Sequence, residues 1–443
     1  MFIFILLVLF FLIAKLLPKF NLFFISGFLI LVVSYVLLSF GFAHELARSE
    51  YFNFDLNPVS LVVSLVFSLS LMVSLISTKK FFTPTIYTKQ LIILSVGIIL
   101  ANNLFVFFLF WFIQRGFIMR QLIEKMKSKS TELGSSFIFQ HTIGFSIAGY
   151  FIYLSLMKGA LFLPFNKIPM EFFDSQTMLT GLIFAFFSHG VIPFHRWLPD
   201  FLFTQNWLDA SVTLMTRSGI LIFVQLIYPH SQILGGDLKL LFVILCLLTS
   251  VYWSVKGLMD VKCLKSLSYL VLAQVALMMT ALQGDHVSLM GAYMQLIAIG
   301  LSAPAMLAIQ SFLERSFPLT SMAPYLGLAK IYPKLSTLFC LFGFTMIGVP
   351  LTASHVVEDL IINGLVHDFP VFGLFHILAS CLNGILFFRI FFRYFLGEFH
   401  EARVFYHKED EFELFPLLMV IIFLILMGLF PFAFIKFLNP LVA

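Results

Sequence analysis

FSHGVIPFHRWLPD, Phe187–Asp200, lies between two long apolar segments and places two histidines, an arginine, an aspartate and two prolines where an uninterrupted membrane span would carry none. Proline removes a backbone N–H and crowds the preceding turn, so a helix entering this stretch breaks inside it. Hydrocarbon cannot satisfy the freed backbone groups, so such a break must face protein or an aqueous cavity. Two readings follow for His189 and His195. Either they line an aqueous ion path, or they reach the headgroups from a loop.

The surrounding chain fixes the class. Its 443 residues are 60% hydrophobic, 17% aromatic and 11% charged, with a mean hydropathy of +1.02, far from the globular norm of about 25% charged. Apolar runs of about 20 residues recur to the C-terminus, and no hydrophilic stretch is long enough to fold as a soluble domain. An all-α integral membrane protein with one membrane domain over residues 1–443 is expected. Apolar length and Pro, Gly and charge breaks mark about fourteen spans. Their limits are 1–17, 20–42, 58–77, 84–102, 104–123, 136–157, 176–196, 207–228, 238–257, 263–283, 287–313, 332–366 with a break, 370–396 and 414–439. Residues 1–83 then form an N-terminal group of three helices, 84–228 and 238–396 form two halves, and 414–439 is a last helix. The first run, MFIFILLVLFFLIAKLL, lacks a basic leader and a small-residue cleavage site, and reads as a retained helix.

Charge orients the chain. Lys15/Lys19, Lys79/Lys80/Lys89, Arg120/Lys125/Lys127/Lys129, Arg196, Lys256/Lys262/Lys265, Arg315/Lys330/Lys334 and Arg389/Arg393/Arg403 fall on one side, which is therefore cytoplasmic. The 43–57 loop falls on the other side, and both termini are expected in the periplasm of a multi-pass inner (plasma) membrane protein. This bias accounts for the net charge of +5, which thus gives no reason to expect nucleic acid. Cys246, Cys263, Cys340 and Cys381 are scattered singly without C-x-x-C spacing, which reads as buried inert thiols rather than disulfides or metal ligands. The 59 phenylalanines read as lipid-facing and inter-helix packing. No dinucleotide, phosphate-loop, haem or Ser-His-Asp motif is present, so no cofactor, no metal and no enzyme activity of the chain alone is expected.

A second break lies in IGVPLTASHVVEDLIING, Ile347–Gly364, where Gly348 and Pro350 interrupt a span of opposite direction and His355, Glu358 and Asp359 follow. One interrupted helix in each half suggests inverted-topology repeats with polar sites near the midplane. Arg115 lies about 11 residues into its span, roughly 17 Å deep at 1.5 Å per residue, and Arg217 is similarly central. A central arginine costs about 3 kcal/mol even on the lenient insertion scale, so both should face the interior and find partners or water. They serve either as a positive barrier or anion site, or as structural charges paired with Asp209 or a backbone carbonyl.

PFHRWLPD, DVKCLKSLSYLVLAQVALM (Asp260–Met278) and GVPLTASHVVEDL, in that order, resemble the antiporter-like membrane subunits of respiratory complex I, of Mrp-type cation/proton antiporters and of related hydrogenase and inorganic-carbon-uptake complexes. The resemblance covers roughly 84–396. It implies two inverted five-helix repeats, each with a broken helix, and charged residues joined at mid-membrane. Asp260 and Lys262 match the family's D-x-K, and Glu358 matches the acidic residue of the last broken helix. Elsewhere the chain departs from the pattern. Phe112 follows Trp111 where the family has glutamate, Ser188 stands in the place of a lysine, and Gln295, Ile299 and Ala303 replace two histidines and a lysine.

Two functions remain open. The first is a proton- or cation-translocating subunit coupled to a partner, with a cytoplasmic half-channel at His189/His195 and a second half built on Lys262, Lys265, Glu358 and His355. The second is a degenerate antiporter-like subunit that anchors a peripheral partner without pumping. Either implies a lipid membrane, other subunits and a large soluble or peripheral protein on the cytoplasmic side. The charged loop Gly397–Glu413 is either simply solvated or docks that partner. Cysteine-accessibility labelling should find residues 43–57 periplasmic and 120–135 and 397–413 cytoplasmic, and cysteines at Arg403 and Glu50 labelled from the same side would overturn the helix count.

Overall fold

A computed structural model describes residues 58–78, 85–126, 132–204, 206–216, 218–260, 263–316, 325–398 and 412–442. The helices expected at 1–17 and 20–42, the 43–57 loop, Arg217, Lys262 and Arg403 lie outside the described residues. The described chain is helical apart from loops and an isolated bridge, Asn103 with Pro164. It divides into two compact units, Met1–Ser68 with Pro84–Gly236, and Leu69–Thr83 with Asp237–Ala443. Among the described residues, Leu104–Glu124, Trp207–Met259, His286–Ser316 and Pro370–Phe395 are long and apolar enough to cross a membrane, and shorter apolar helices accompany them.

Helix α1 (Pro58–Thr78) precedes the first unit's α2 (Ile86–Ile99), α3 (Leu104–Met126), α4 (Glu132–Met157), α5 (Ser175–His189), α6 (Trp197–Thr204), α7 (Trp207–Thr216) and α8 (Ser218–Ile222). Apolar side chains supply the spans, and local polar groups set their ends. The Thr85 hydroxyl accepts the Thr88 N–H at 3.2 Å to start α2, and the Asp174 carboxylate accepts the Thr177 N–H at 2.9 Å to start α5. Helix α8 continues through a π-turn, Phe223–Ile227, and a tight 3-10 segment, Tyr228–Leu234, kinked at His230. The core of this unit is aromatic. Trp111 is fully buried and meets the Phe184 and Phe145 rings edge-on at 5.1 and 5.8 Å, a geometry the ring quadrupoles favour.

The second unit holds α9 (Gly235–Met259), α10 (Cys263–Ala281), α11 (His286–Ser316), α12 (Pro333–Ile347), α13 (Ala353–Asp368), α14 (Pro370–Phe395), α15 (Phe415–Leu429) and α16 (Pro431–Val442). Helix α11 is its axis, buried along nearly its whole length and packed by α10, α12 and α13. Its buried face carries Gln295, Ser302 and Gln310.

Three expectations need correction. The 176–196 span stops at His189, because Gly190 takes a left-handed φ of +65° that only glycine adopts cheaply, and the chain re-enters helix at Trp197. The 414–439 span is two helices, since Pro431 cannot extend α15 and instead opens α16. Cys246 is buried, but Cys340 is half-buried and Cys381 is exposed on the outer face of α14, so burial does not describe all the thiols.

Lys158 closes the connection between α4 and α5. Its ammonium lies 2.7 Å from Asp174 Oδ1 and donates to Thr177 Oγ1 at 2.9 Å. The Lys158 hydrogen bond, reinforced by Thr177, holds the Asp174 carboxyl at about 2, against about 3.9 in an unfolded chain. A depressed folded value means that the pair stabilises fully above the unfolded value and loses its effect as pH falls through about 2. Asp174→Asn should therefore lower Tm at pH 7. The gap from wild type should stay constant between pH 8 and about 5 and close only in stronger acid. A gap that closed between pH 5 and 8 would refute this account of the cap.

Candidate functional site

At the first interruption the protein itself satisfies the backbone. The Gly190 N–H closes onto the Phe186 and Phe187 carbonyls. The Trp197 N–H, exposed by the restart, donates to Gln140 Oε1 of α4 at 2.8 Å, and its indole Nε1 donates to the Phe187 carbonyl at 3.1 Å. His189 is buried, with Nδ1 donating to the Ala185 carbonyl at 3.0 Å. Its ring lies so close to Gly219 of α8 that any Cβ there would collide with it. His195 is half-buried, and its Nδ1 donates to the Pro193 carbonyl at 3.3 Å. The Ser188 hydroxyl makes no hydrogen bond.

Arg115 of α3 is 2% exposed. Its guanidinium carbon lies 4.8 Å from the Trp197 ring centre and 5.6 Å from that of Trp111, while Nε and Nη1 have no hydrogen-bond partner. Arg115 does not pair with Asp209, and Arg217, for which the same pairing was weighed, lies outside the described residues. Asp209 is buried in the first turn of α7, where the helix dipole favours a carboxylate. Two cation–π contacts of about 0.5–2 kcal/mol each offset part of an insertion cost of about 3 kcal/mol. They leave the N–H groups unmet, at about 1–3 kcal/mol or more. Phe112, where the resemblance leads one to expect a carboxylate, is packed 5.4 Å from Phe145 and 6.4 Å from Phe108, so rings fill that position.

The second interruption is polar. Helix α12 ends at Gly348, φ +74°, and Leu351 takes the same left-handed φ without being glycine, a strained backbone. Thr352 Oγ1 donates to the Val349 carbonyl at 2.6 Å, and Ser354 Oγ donates to the Thr345 carbonyl. One turn into α13, Glu358 is half-buried and accepts the Ser380 hydroxyl of α14 at 2.5 Å. Its carboxyl would lie 2.7 Å from a Cβ on Gly348, so the glycine serves both the turn and the close approach. Behind it run buried polar contacts. Gln295 Nε2 donates to Gln274 Oε1 at 3.2 Å, Gln295 Oε1 lies 3.2 Å from Ser354 Oγ, and Ser302 meets Thr345 at 2.7 Å.

His376 is a residue that the sequence reading missed. It is buried on α14 one turn before Ser380, with Nδ1 3.3 Å from Thr280 Oγ1. The Thr280 hydroxyl already donates to the Leu277 carbonyl, so the ring nitrogen is the donor. A lone histidine in the apolar run PVFGLFHILAS was the available signal. Asp260 and Lys265 are half-buried at the α9–α10 connection, and the described contacts do not join them to Glu358. That connection is held by Arg389, expected only as a cytoplasmic charge, whose Nη1 donates to the Gly257 and Asp260 carbonyls at 3.0 and 3.1 Å. His355 is half-buried and Asp359 exposed. No cluster able to hold a metal occurs among the described residues.

Residues 101–383 match the family described as NADH:quinone oxidoreductase/Mrp antiporter, TM. The chain belongs to that family. Similar proteins include NADH-quinone oxidoreductase subunit M of Pseudomonas aeruginosa, 26% identical over 67% of this chain and 63% of that protein, and subunit M of Escherichia coli, 23% identical over 76% and 70%. Against the subunit M relatives of P. aeruginosa and Rickettsia typhi the chain spans 63% and 53% of their length. Its fold is that of chains in the Mrp complex of Dietzia sp. (TM-score 0.80, 14% identity, 99% of this chain and 96% of that one). Chains in respiratory complex I of Thermus thermophilus share it too (TM-score 0.77, 18% identity, 88% and 84%). Family membership and the apolar helices fit a multi-pass inner-membrane protein.

In this antiporter-family chain the carboxyl of Glu358 depends on Gly348. Gly348→Ala should lose about 1–3 kcal/mol from backbone strain and overpacking. Gly384→Ala, with nothing within 4 Å of the added Cβ, should unfold no earlier than wild type. Equal melting temperatures for the two variants in detergent would show that the Glu358 approach is not as close as described.

Proposed function

We propose that the chain is a proton-translocating membrane subunit of a multisubunit complex, coupled to a partner protein, with Glu358 as the group that takes up and releases the proton. The observation that carries this reading is the placement of Glu358 at an interrupted helix, held by Ser380 and flanked by buried hydroxyls and amides. A carboxylic acid is the kind of group that changes protonation at membrane depth, where ionisable residues are expensive and mark ion pathways. Hydroxyls both donate and accept, so Ser380 on Glu358, the Ser302–Thr345 and Ser354–Gln295 contacts and the Thr280–His376 contact support relay steps within the second unit. Gln274 and Gln295 stay neutral throughout, which leaves the charge change to the carboxylate. Lys262, Lys265, Asp260 and His355 would serve the cytoplasmic approach, and His189 with His195 the first unit's half-channel.

The same proposal includes about fourteen spans. It groups them as 1–83, an inverted pair of five-helix repeats at 84–228 and 238–396, and a C-terminal segment that holds α15 and α16, with both termini periplasmic. An exposed carboxylate beside Glu358, Asp359, is costly against lipid and supports an adjoining subunit on that face. A large soluble or peripheral cytoplasmic protein, as in redox or inorganic-carbon-uptake complexes, would supply the energy source that this chain lacks. A second reading, anchoring without pumping, is favoured by the closed aromatic packing around Phe112 in the first unit.

Glu358→Gln in the reconstituted complex should abolish proton flux reported by a trapped pH dye while leaving assembly intact. Ser380→Ala should retain slower flux. Undiminished flux in Glu358→Gln would remove Glu358 from the route, and an assembled wild-type complex without flux would establish the anchoring reading.

A further inference from the structure

We infer that the first unit binds one small, singly charged anion at Arg115, beside the indole N–H edge of Trp111. Burial is the starting point: Arg115 is 2% exposed and both indoles are fully buried. A guanidinium keeps its charge where a lysine would give it up, so it cannot escape the cost of burial by deprotonating. Its Nε and Nη1 donate to nothing, and Trp111 Nε1 donates to nothing. Buried indole N–H groups ordinarily find an acceptor. Trp111 and Arg115 are one turn apart on α3, so their free N–H groups lie on the same side of the helix. Arg115 and Trp111 thus bring three unpaired donors and one full positive charge to one side of α3.

A water molecule there would take up the hydrogen bonds and leave the charge. An anion takes up both. The surrounding wall is aromatic, with Phe184 and Phe187 against Trp111 at 5.1 and 6.4 Å. Such a wall does not replace the hydration shell of a doubly charged ion, so the site selects weakly hydrated monovalent anions such as halides or nitrate over sulfate. The inference is independent of proton translocation through Glu358, because it concerns other residues in the other unit.

Bromide is the probe, because it quenches indole fluorescence on contact. Trp111, Trp197, Trp207 and Trp253 are all buried, so without a site bromide added to the purified full chain should quench weakly and in proportion to its concentration. With the site, titration at ionic strength held constant with gluconate should show a saturable component. Nitrate should compete with that component and sulfate should not. It should weaken in Trp111→Phe and vanish in Arg115→Gln. Strictly linear quenching in the wild-type chain, or saturable quenching that survives Arg115→Gln, would overturn the inference. If Arg115→Gln does not fold, the wild-type titration with nitrate and sulfate still decides it.

Discussion

A backbone amide or carbonyl cannot be left bare in hydrocarbon, and the arrangement of both interruptions in this chain follows from that constraint. At the first, Gln140 and Gly190 take the groups released between α5 and α6. At the second, the hydroxyls of Thr352 and Ser354 take the carbonyls released between α12 and α13. Each solution draws side chains inward, and those side chains then determine the polarity of the place they occupy. A glutamine that caps one N–H leaves its surroundings free to be aromatic. A pair of hydroxyls brings further polar groups with it, because each hydroxyl both gives and accepts a hydrogen bond.

The two units differ in chemistry for this reason. Around Arg115 the walls are Trp and Phe rings, and the charge meets quadrupoles rather than counter-charges. In the second unit Ser380 meets Glu358, and Ser354, Thr345 and Gln295 form a hydrogen-bonded polar group on α11 to α13. Gln295, Ile299 and Ala303, where the resemblance leads one to expect two histidines and a lysine, put no titrating group on α11, and Gln295 is hydrogen-bonded to Gln274.

Much of the fold was legible because the signals were local. Apolar length marks a membrane chain, and Pro193, Gly348 and Pro350 mark the interruptions wherever they lie in three dimensions. Errors arose at residues whose effect depends on register. Gly190 ended α5 earlier than apolar length suggested, and Pro431, acceptable at a helix start, divided a run that looked continuous. Site geometry was less legible. Spacing placed Arg115 near the middle of its span, but nothing in it reveals that Trp197, far along the chain, closes over the guanidinium. His376 looked like one more residue of an apolar helix until Thr280 came to lie against it.

The contrast between the two buried charges bears on where movement of a proton is chemically feasible. Arginine holds its proton at any working pH, so a place governed by Arg115 has a fixed electrostatic character and can hold a counter-ion but cannot pass a proton by titration. A carboxylic acid placed among hydroxyls has two accessible protonation states, and the Ser380 hydroxyl can serve as donor to the ionised form and as acceptor from the protonated form by turning about one bond. The strained turn at Leu351 and the glycine at 348 hold that carboxyl against the end of α12. Its position is thus set by the backbone, while its proton is held only by side chains that can rotate. This division of rigid placement and mobile hydrogen bonding is present in the second unit, and in the first it has been replaced by aromatic packing around a permanent cation.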